Sequence, residues 1–442
     1  MELIKKLSER EIQGRPVNVG IIGCGQMGSG LAHTIHNVKG MRVRAIADIK
    51  PDLGVTTFME MGIDRSDIII TEKSAVANDA LNKGKYIVTP DAILMPDLEK
   101  IEANVEVTGI IDVGARVALA SIERKKPVIM LNVETDVTIG YLLNRRAREN
   151  NALYTVASGD EPGVCKMLWE QALLMGFEVV CIGKGKNNII DYDATPESCY
   201  REALSKDMNP KILASFKDGT KTMVEMAAVS NATGLLPDVP GMHGPQVELE
   251  DLLKVYKPKT DGGIFDIRGT VDYSTGKIAP GIFVIVYSGD KRIQKEMKFI
   301  TYADGPYYLL FRPYHLCDLE TPQSVAEAVL LNEVTVVAEN MNSEVVAVAK
   351  RNLKTGEILK GIGSGDISGR IYTYPQARFL EAIPLGIAEK GKVLKNINKG
   401  DILTEGNFMP DKSSFIYQLR KEQDILLINN VLEGIKNESG RY

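Results

Sequence analysis

Two short stretches hold residues whose types and spacing could do chemistry. The first is Gly23-Cys24-Gly25-Gln26-Met27-Gly28, inside VNVGIIGCGQMGSGL (17–31). Glycines in G-x-G-x-x-G order let a main chain wrap a dinucleotide pyrophosphate. The first permits the tight turn, the second the close approach, and the third the packing of helix on strand. Gln26 and Met27 fill the variable positions of that turn. The second stretch is GKGKNN (183–188). Two ammonium groups, Lys184 and Lys186, beside the amides of Asn187 and Asn188 could grip an oxygen-rich substrate and polarise its carbonyl. A solvated surface turn is the plainer alternative.

Further candidates follow along the chain. The run MRVRAIAD ends at Asp48, 20 residues past Gly28, where a carboxylate accepts hydrogen bonds from the ribose of NAD. It would repel the extra phosphate of NADP, although Lys50 could pair with that phosphate; a strand-end turn residue is the alternative. VTGIIDVGA (107–115) reads as a strand ending in a Gly114-Ala115 turn against the cofactor. PVIML emerges at Asn132 and Glu134, beside the nicotinamide if the strand is parallel, or as a helix cap and its support. Asp160 and Glu161 precede Pro162 and a helix. Adjacent carboxylates can hold Mg²⁺ or Mn²⁺ or act as acid and base, and Asp160 can equally cap the helix. Lys221 follows Asp218-Gly219, read as a strand hairpin. His243 closes a Gly/Pro-rich loop as a proton carrier or a structural group. Tyr273, Lys277, Arg312 and His315 complete the pocket candidates, Arg312 as a bidentate anion ligand.

These residues need elements to carry them. Strand and helix patterns alternate through residue 158, which predicts an N-terminal Rossmann doubly wound α/β sheet. A second domain is expected over 159–340, and a small β-rich module with a C-terminal tail over 341–442. In CKMLWEQALLMGF, Met167, Leu168 and Met175 are expected in the core. LETPQSVAEAVLL (319–331) is expected to start its helix at Thr321-Pro322, and Ser413 to Leu432 to form an amphipathic helix. VVAVAKRNLKTGEILK (345–360) and VLKNINKGDILTEGN (393–407) form a weak internal repeat.

Composition narrows the function. A net charge of −5 argues against nucleic acid as a partner. No apolar run suits a membrane span, and MELIKKLSEREIQGRP lacks a signal-peptide core. Five scattered cysteines without CxxC spacing fit a reducing cytoplasm.

The segments GIIGCGQMGSGL, VIMLNVETDVTIGYL, SGDEPGVC, GKGKNN, DGTKTMVEMAAVSNATGL and FRPYHL together resemble the homoserine-dehydrogenase-like family, which includes the DXR-like (1-deoxy-D-xylulose 5-phosphate reductoisomerase-like) enzymes. The likeness runs from about residue 10 into the last region, which looks like a SAF (antifreeze-like) β-clip module. It implies that 159–340 is an α+β catalytic and dimerisation domain of a homo-oligomer, dimer or tetramer, with NAD(P)H chemistry on a small, polyoxygenated, phosphorylated ketose. A skeletal shift would be followed by hydride delivery. Asp48 departs from the NADPH preference expected of such reductoisomerases and suits an NAD-linked oxidation of a sugar alcohol or sugar acid. A non-enzymatic NAD-binding regulator is the remaining alternative.

Overall fold

The structure, a computed structural model, describes residues 2–439. The chain forms two compact units, and it enters both more than once. Unit 1 comprises 1–160, 316–337 and 418–442, and unit 2 comprises 161–315 and 338–417.

Unit 1 is built on a seven-stranded parallel sheet: β1 (Val17–Ile22), β2 (Met41–Ala47), β3 (Ile68–Ile70), β4 (Tyr86–Thr89), β5 (Ala103–Glu106), β6 (Val128–Met130) and β7 (Tyr154–Val156). Helices α1 (Glu2–Ile12), α2 (Gln26–Asn37), α3 (Pro51–Glu60), α4 (Ser74–Asn82), α5 (Ile111–Glu123) and α6 (Val133–Asn150) accompany it. Strand order is β3-β4-β2-β1-β5-β6-β7. Val19 and Ile21 on one face of β1 and Ile22 on the other are all buried, as a sheet covered on both faces requires. The order reverses between β1 and β5, so their carboxyl ends border the switch point where such sheets bind ligands. The expected Rossmann sheet is therefore present. Beyond β7, Val336 donates and accepts hydrogen bonds with Thr155 and Val156 at the sheet margin.

Unit 2 contains α7 (Glu161–Leu174), β8 (Glu178–Gly185), α8 (Pro196–Ser205), α9 (Pro210–Lys217), α10 (Thr220–Thr233), β9 (Leu236–Pro237), β10 (Thr270–Ser274), β11 (Ile282–Tyr287) and β12 (Tyr307–Arg312). Its mixed sheet runs β12-β11-β8-β10-β9. Helices α7 and α10 pack on this sheet. Tyr256, Phe265 and Phe283 belong to an aromatic core within the same unit. Two antiparallel strands, β13 (Ser343–Ala349) and β14 (Ile367–Thr373), lie along α10. The two repeat segments pair with each other: Leu353 and Ile397 exchange both backbone hydrogen bonds.

Several local expectations change. FKDGTKTMVEMAA is a helix–turn–helix, because Gly219 at φ +85° ends α9 and opens α10. Met167 and Met175 are exposed, while Leu168 is buried; the core stripe is narrower than the apolar sequence. The helix expected from Thr321 starts at Cys317 and carries Pro322 inside it. The last helix spans Phe415–Ser439 and buries polar side chains, with Arg420 paired to Asp424 at 2.9 Å and Gln423 accepting from the Leu142 amide. All five cysteines are free thiols. Among the described residues no helix is long and apolar enough to cross a membrane.

Candidate functional site

In unit 1 two of the three glycines have a steric cause. Gly23 adopts φ +97°, and a Cβ there would press on the Thr108 backbone. A Cβ on Gly28 would lie 2.0 Å from the Gly23 carbonyl oxygen, which α2 could not reach over β1 with any larger residue. Gly25, at the N-cap of α2, has open space around it and supplies no side-chain cap. The first amides of α2 are thus left for an anion. Gln26 and Met27 are exposed on the same turn.

Asp48 follows β2 and is half-buried. Its Oδ2 accepts the Cys24 N–H at 2.7 Å and its Oδ1 the Lys50 N–H at 2.8 Å. It is a strand-end turn residue, and it also braces the glycine turn. Two amide bonds leave lone pairs for a ribose hydroxyl, since a carboxylate accepts about four hydrogen bonds.

Gly114 is not in a turn. β5 ends at Glu106, Gly109 turns the chain at φ +65°, and Gly114 lies in the first turns of α5. A Cβ there would sit 2.5 Å from Thr135 Oγ1, 2.8 Å from Asn132 Nδ2 and 3.1 Å from Glu106 Oε2. Glycine is needed because three polar side chains close on it. Asn132 is buried, accepts from the Thr135 amide at 3.2 Å and donates to the Ile110 carbonyl. It caps α6, and Glu134 follows in that helix's first turn.

The sequence reading passed over Glu106. This carboxyl is wholly buried at the end of β5. Its Oε1 accepts from the Thr108 amide at 2.9 Å and from the Thr108 hydroxyl, while Oε2 has no hydrogen-bond partner. Burial raises its pKa to about 7, against the Thr108 hydrogen bonds and the nearby Asn132 amide and with the nearby Glu134 charge. A carboxyl closing a short strand inside the sheet was the available signal. Asp160, also buried, accepts a hydrogen bond from the Cys317 thiol at 3.3 Å.

In unit 2 the two glycines of GKGKNN are steric too. The Phe283 ring lies over Gly183, 2.1 Å from where a Cβ would be, and the backbone at Ala279 crosses Gly185 equally closely. The strand therefore continues through Lys184 and Gly185; the motif is not a surface turn. Lys184 is 7% exposed. Its ammonium bridges Glu161, in the first turn of α7, and Glu225, on α10. Burial alone would push Lys184 down, but the two carboxylates outweigh it and hold the ammonium above its ordinary range. Glu225, 2% exposed, is pushed up by burial and by the Glu161 charge, and pulled back by Lys184 and Lys221. His315 Nε2 lies 3.3 Å from Glu161 Oε1.

Lys186 is buried and donates to the Phe216 carbonyl at 2.6 Å and to Asn188 Oδ1 at 2.8 Å. Burial and the Lys184 charge lower its pKa to about 8, against Glu225 and Asp218. Asn188 also reaches the Lys217 carbonyl, whereas Asn187 is exposed. Tyr273 is the register neighbour of Lys184 on β10 and lies under Gly244. Arg312 ends β12, its guanidinium 4.5 Å from the Tyr314 ring centre.

His243 is held by two carboxylates. Its ring bonds Asp238 at 2.8 Å, and its amide donates to Asp272. Asp272 gathers amides from His243, Gly244 and Tyr273, and burial raises its pKa to about 6 despite them. Unit 2 thus brings Glu161, Lys184, Glu225 and His315 together, with Lys186 and Lys221 as charged neighbours. Glu225 was not singled out in the sequence, where it hides in the apolar run of α10. A buried ammonium between carboxylates, with an amine of pKa near neutrality beside it, can polarise a substrate oxygen and move a proton.

Residues 159–321 match the family model described as the oxidoreductase DRL catalytic domain. No curated protein matches the chain. Among solved structures, the chain is similar to scyllo-inositol dehydrogenase from Lactobacillus casei with bound NAD(H) and scyllo-inositol. The identity is 12% over 73% of this chain and 92% of that one, with a TM-score of 0.42. A probable dehydrogenase from Thermotoga maritima gives 11% identity over 72% and 90%, TM-score 0.41. DOX-P reductoisomerase in complex with NADPH, fosmidomycin and magnesium gives 16% identity over 48% and 57%, TM-score 0.35.

Proposed function

We propose that this chain is an NAD(P)-dependent oxidoreductase acting on a small, polyoxygenated substrate. One observation carries the reading. The Lys184 ammonium is held between Glu161 and Glu225 inside the segment that matches an oxidoreductase catalytic domain. Buried charge of this kind costs several kcal/mol to desolvate, and catalysis is a reason to keep it.

In this reading Gly23, Gly25, Gln26, Met27 and Gly28 receive the pyrophosphate, and Asp48 takes the adenosine ribose and favours NAD. When bound, the dinucleotide supplies or accepts the hydride. Lys184 stabilises the substrate oxygen as negative charge develops there. Lys186, mostly protonated at neutral pH, gives a proton to that oxygen in reduction and, deprotonated, takes it in oxidation. Lys221, Arg312, Asn187 and Tyr273 hold the substrate's phosphate or carboxylate and hydroxyls. Glu161 accepts from Lys184 and, with His315, sets the charge of the pair. Mg²⁺ or Mn²⁺ would be held by the adjacent carboxylates Asp160 and Glu161, and would polarise the substrate oxygen as a Lewis acid.

The ketose reductoisomerase reaction is the first substrate choice. A plain NAD-linked dehydrogenase of sugar alcohols or acids is the second, and Asp48 favours it. The test follows NADH and NADPH oxidation separately with 1-deoxy-D-xylulose 5-phosphate, with and without Mg²⁺ or Mn²⁺. NAD reduction by short polyols and sugar acids is then followed. Carbon NMR of the product separates the two, because only the isomerase yields a rearranged skeleton. Absence of turnover with both substrate sets would overturn the reading.

A further inference from the structure

The second candidate site is a cleft of about 570 Å³ within unit 1, at the amino-terminal ends of β1 and β2. The glycine turn and Asp48 follow the carboxyl ends of the same strands, so this cleft is at the opposite edge of the sheet. Its walls hold five cationic side chains and three carboxylates, in a chain whose net charge is −5. The local sign therefore runs against the whole molecule.

Internal pairing uses part of that charge. Arg10 holds both oxygens of Glu102 at 2.6 Å, and Arg42 lies 3.1 Å from Glu11. These pairs leave Arg15, Arg44 and Lys100 against the exposed Glu99. Arg44 is the informative one. Its Nη2 donates to the Lys85 carbonyl at 2.7 Å, and its guanidinium lies 5.0 Å from the Tyr86 ring centre. Its Nε is buried with no hydrogen-bond partner, and so is Oδ1 of Asn18 in the same cleft. A buried donor or acceptor left unmade costs about 1–3 kcal/mol. A site of this volume falls in the range of small-molecule pockets, roughly 300–1,000 Å³.

We infer that this cleft binds a small polyanion of metabolite size, whose phosphate or carboxylate oxygens meet Arg44, Arg15 and Lys100. Asn18 accepts from a hydroxyl of the same molecule. The inference does not depend on the oxidoreductase reading, and its test needs no turnover.

The test is calorimetric titration of the full chain with pyrophosphate and, separately, with citrate. The variants are Arg15→Ala/Lys100→Ala, which alters exposed groups only, and Arg44→Met. Binding should weaken at least tenfold in the double variant and be lost in Arg44→Met, and it should fall with added salt, as surface charges are screened. Pyrophosphate alone binding in this way assigns the cleft to phosphate esters; citrate binding as well widens it to carboxylates. Equal affinity in wild type and double variant would overturn the inference, because the anion then sits elsewhere, for example at the glycine turn. Absence of binding up to about 10 mM would also overturn it, leaving water to satisfy Arg44 and Asn18. A misfolded Arg44→Met leaves the double variant to decide.

Discussion

The glycine turn of unit 1 and the lysine cluster of unit 2 solve similar problems with different material. The turn offers backbone amides: Gly23, Gly25 and Gly28 contribute by having no side chain. The cluster offers side-chain charge taken out of water, and Lys184 is tenable there only because Glu161 and Glu225 face it. A backbone site is cheap to desolvate and tied to local sequence. A charged site is costly and drawn from distant segments. The two should therefore fail differently when altered.

The largest effect is expected from Lys184→Ala. It leaves two buried carboxylates face to face, and loss of one partner of a buried pair costs about 3–5 kcal/mol. The unfolding temperature should fall and turnover vanish. Lys184→Met/Glu225→Gln should recover stability without turnover; recovery of turnover would break the catalytic reading of the cluster. Lys186→Met should keep the fold and lower kcat by about 10²–10⁴ with NADH affinity unchanged. In wild type the rate of substrate oxidation should climb with pH and level above about 8, as the Lys186 amine loses its proton; the variant should lack that limb. Gly28→Ala should do the reverse, weakening NADH binding roughly tenfold or more while leaving turnover at saturating NADH. If both variants damaged affinity and kcat alike, the division between the two sites would fail.

Smaller effects sharpen the same contrast. Asp48→Asn should shift the NAD-to-NADP preference about fivefold toward NADP, read as a ratio of kcat/KM values. The smallest is Glu106→Gln. The Glu106 pKa is raised in the folded protein, so its contribution to stability is full at low pH and is lost as pH rises through about 7. Melting temperatures from pH 5 to pH 8 should fall less steeply in the variant, with Asp136, also raised to about 7, keeping part of the slope.

The glycine turn was legible because its spacing falls between a strand and a helix that are contiguous in sequence, although the backbone that Gly23 meets, at Thr108, lies far along the chain. The strands ending at Ile22 and Ser274 were legible from their local runs of branched residues, whereas the strand read as ending at Ile182 runs on to Gly185. Glu225 was not. It is one carboxyl in an apolar helical run, and its meaning depends on Glu161 and Lys184, which lie far away in the chain. Asp218-Gly219 misled because a glycine at positive φ ends a helix as readily as it turns a hairpin. Lys184 was found, but as a loop residue, because nothing near it in sequence reveals that Phe283 covers Gly183. The lysine-rich motif thus owes its glycines to packing and its charge to partners the sequence keeps distant.

The path of the chain through the two units has a consequence for synthesis. Residues 1–160 leave the ribosome first, yet Val336, which meets Thr155 and Val156 at the sheet margin, emerges only after the whole of 161–315. The helix that binds α6 through Gln423 comes later still. A nascent chain therefore carries an unfinished sheet edge while about two fifths of its length is translated. Such an edge is where a holding chaperone would be needed, and where arrested translation would leave a sticky fragment.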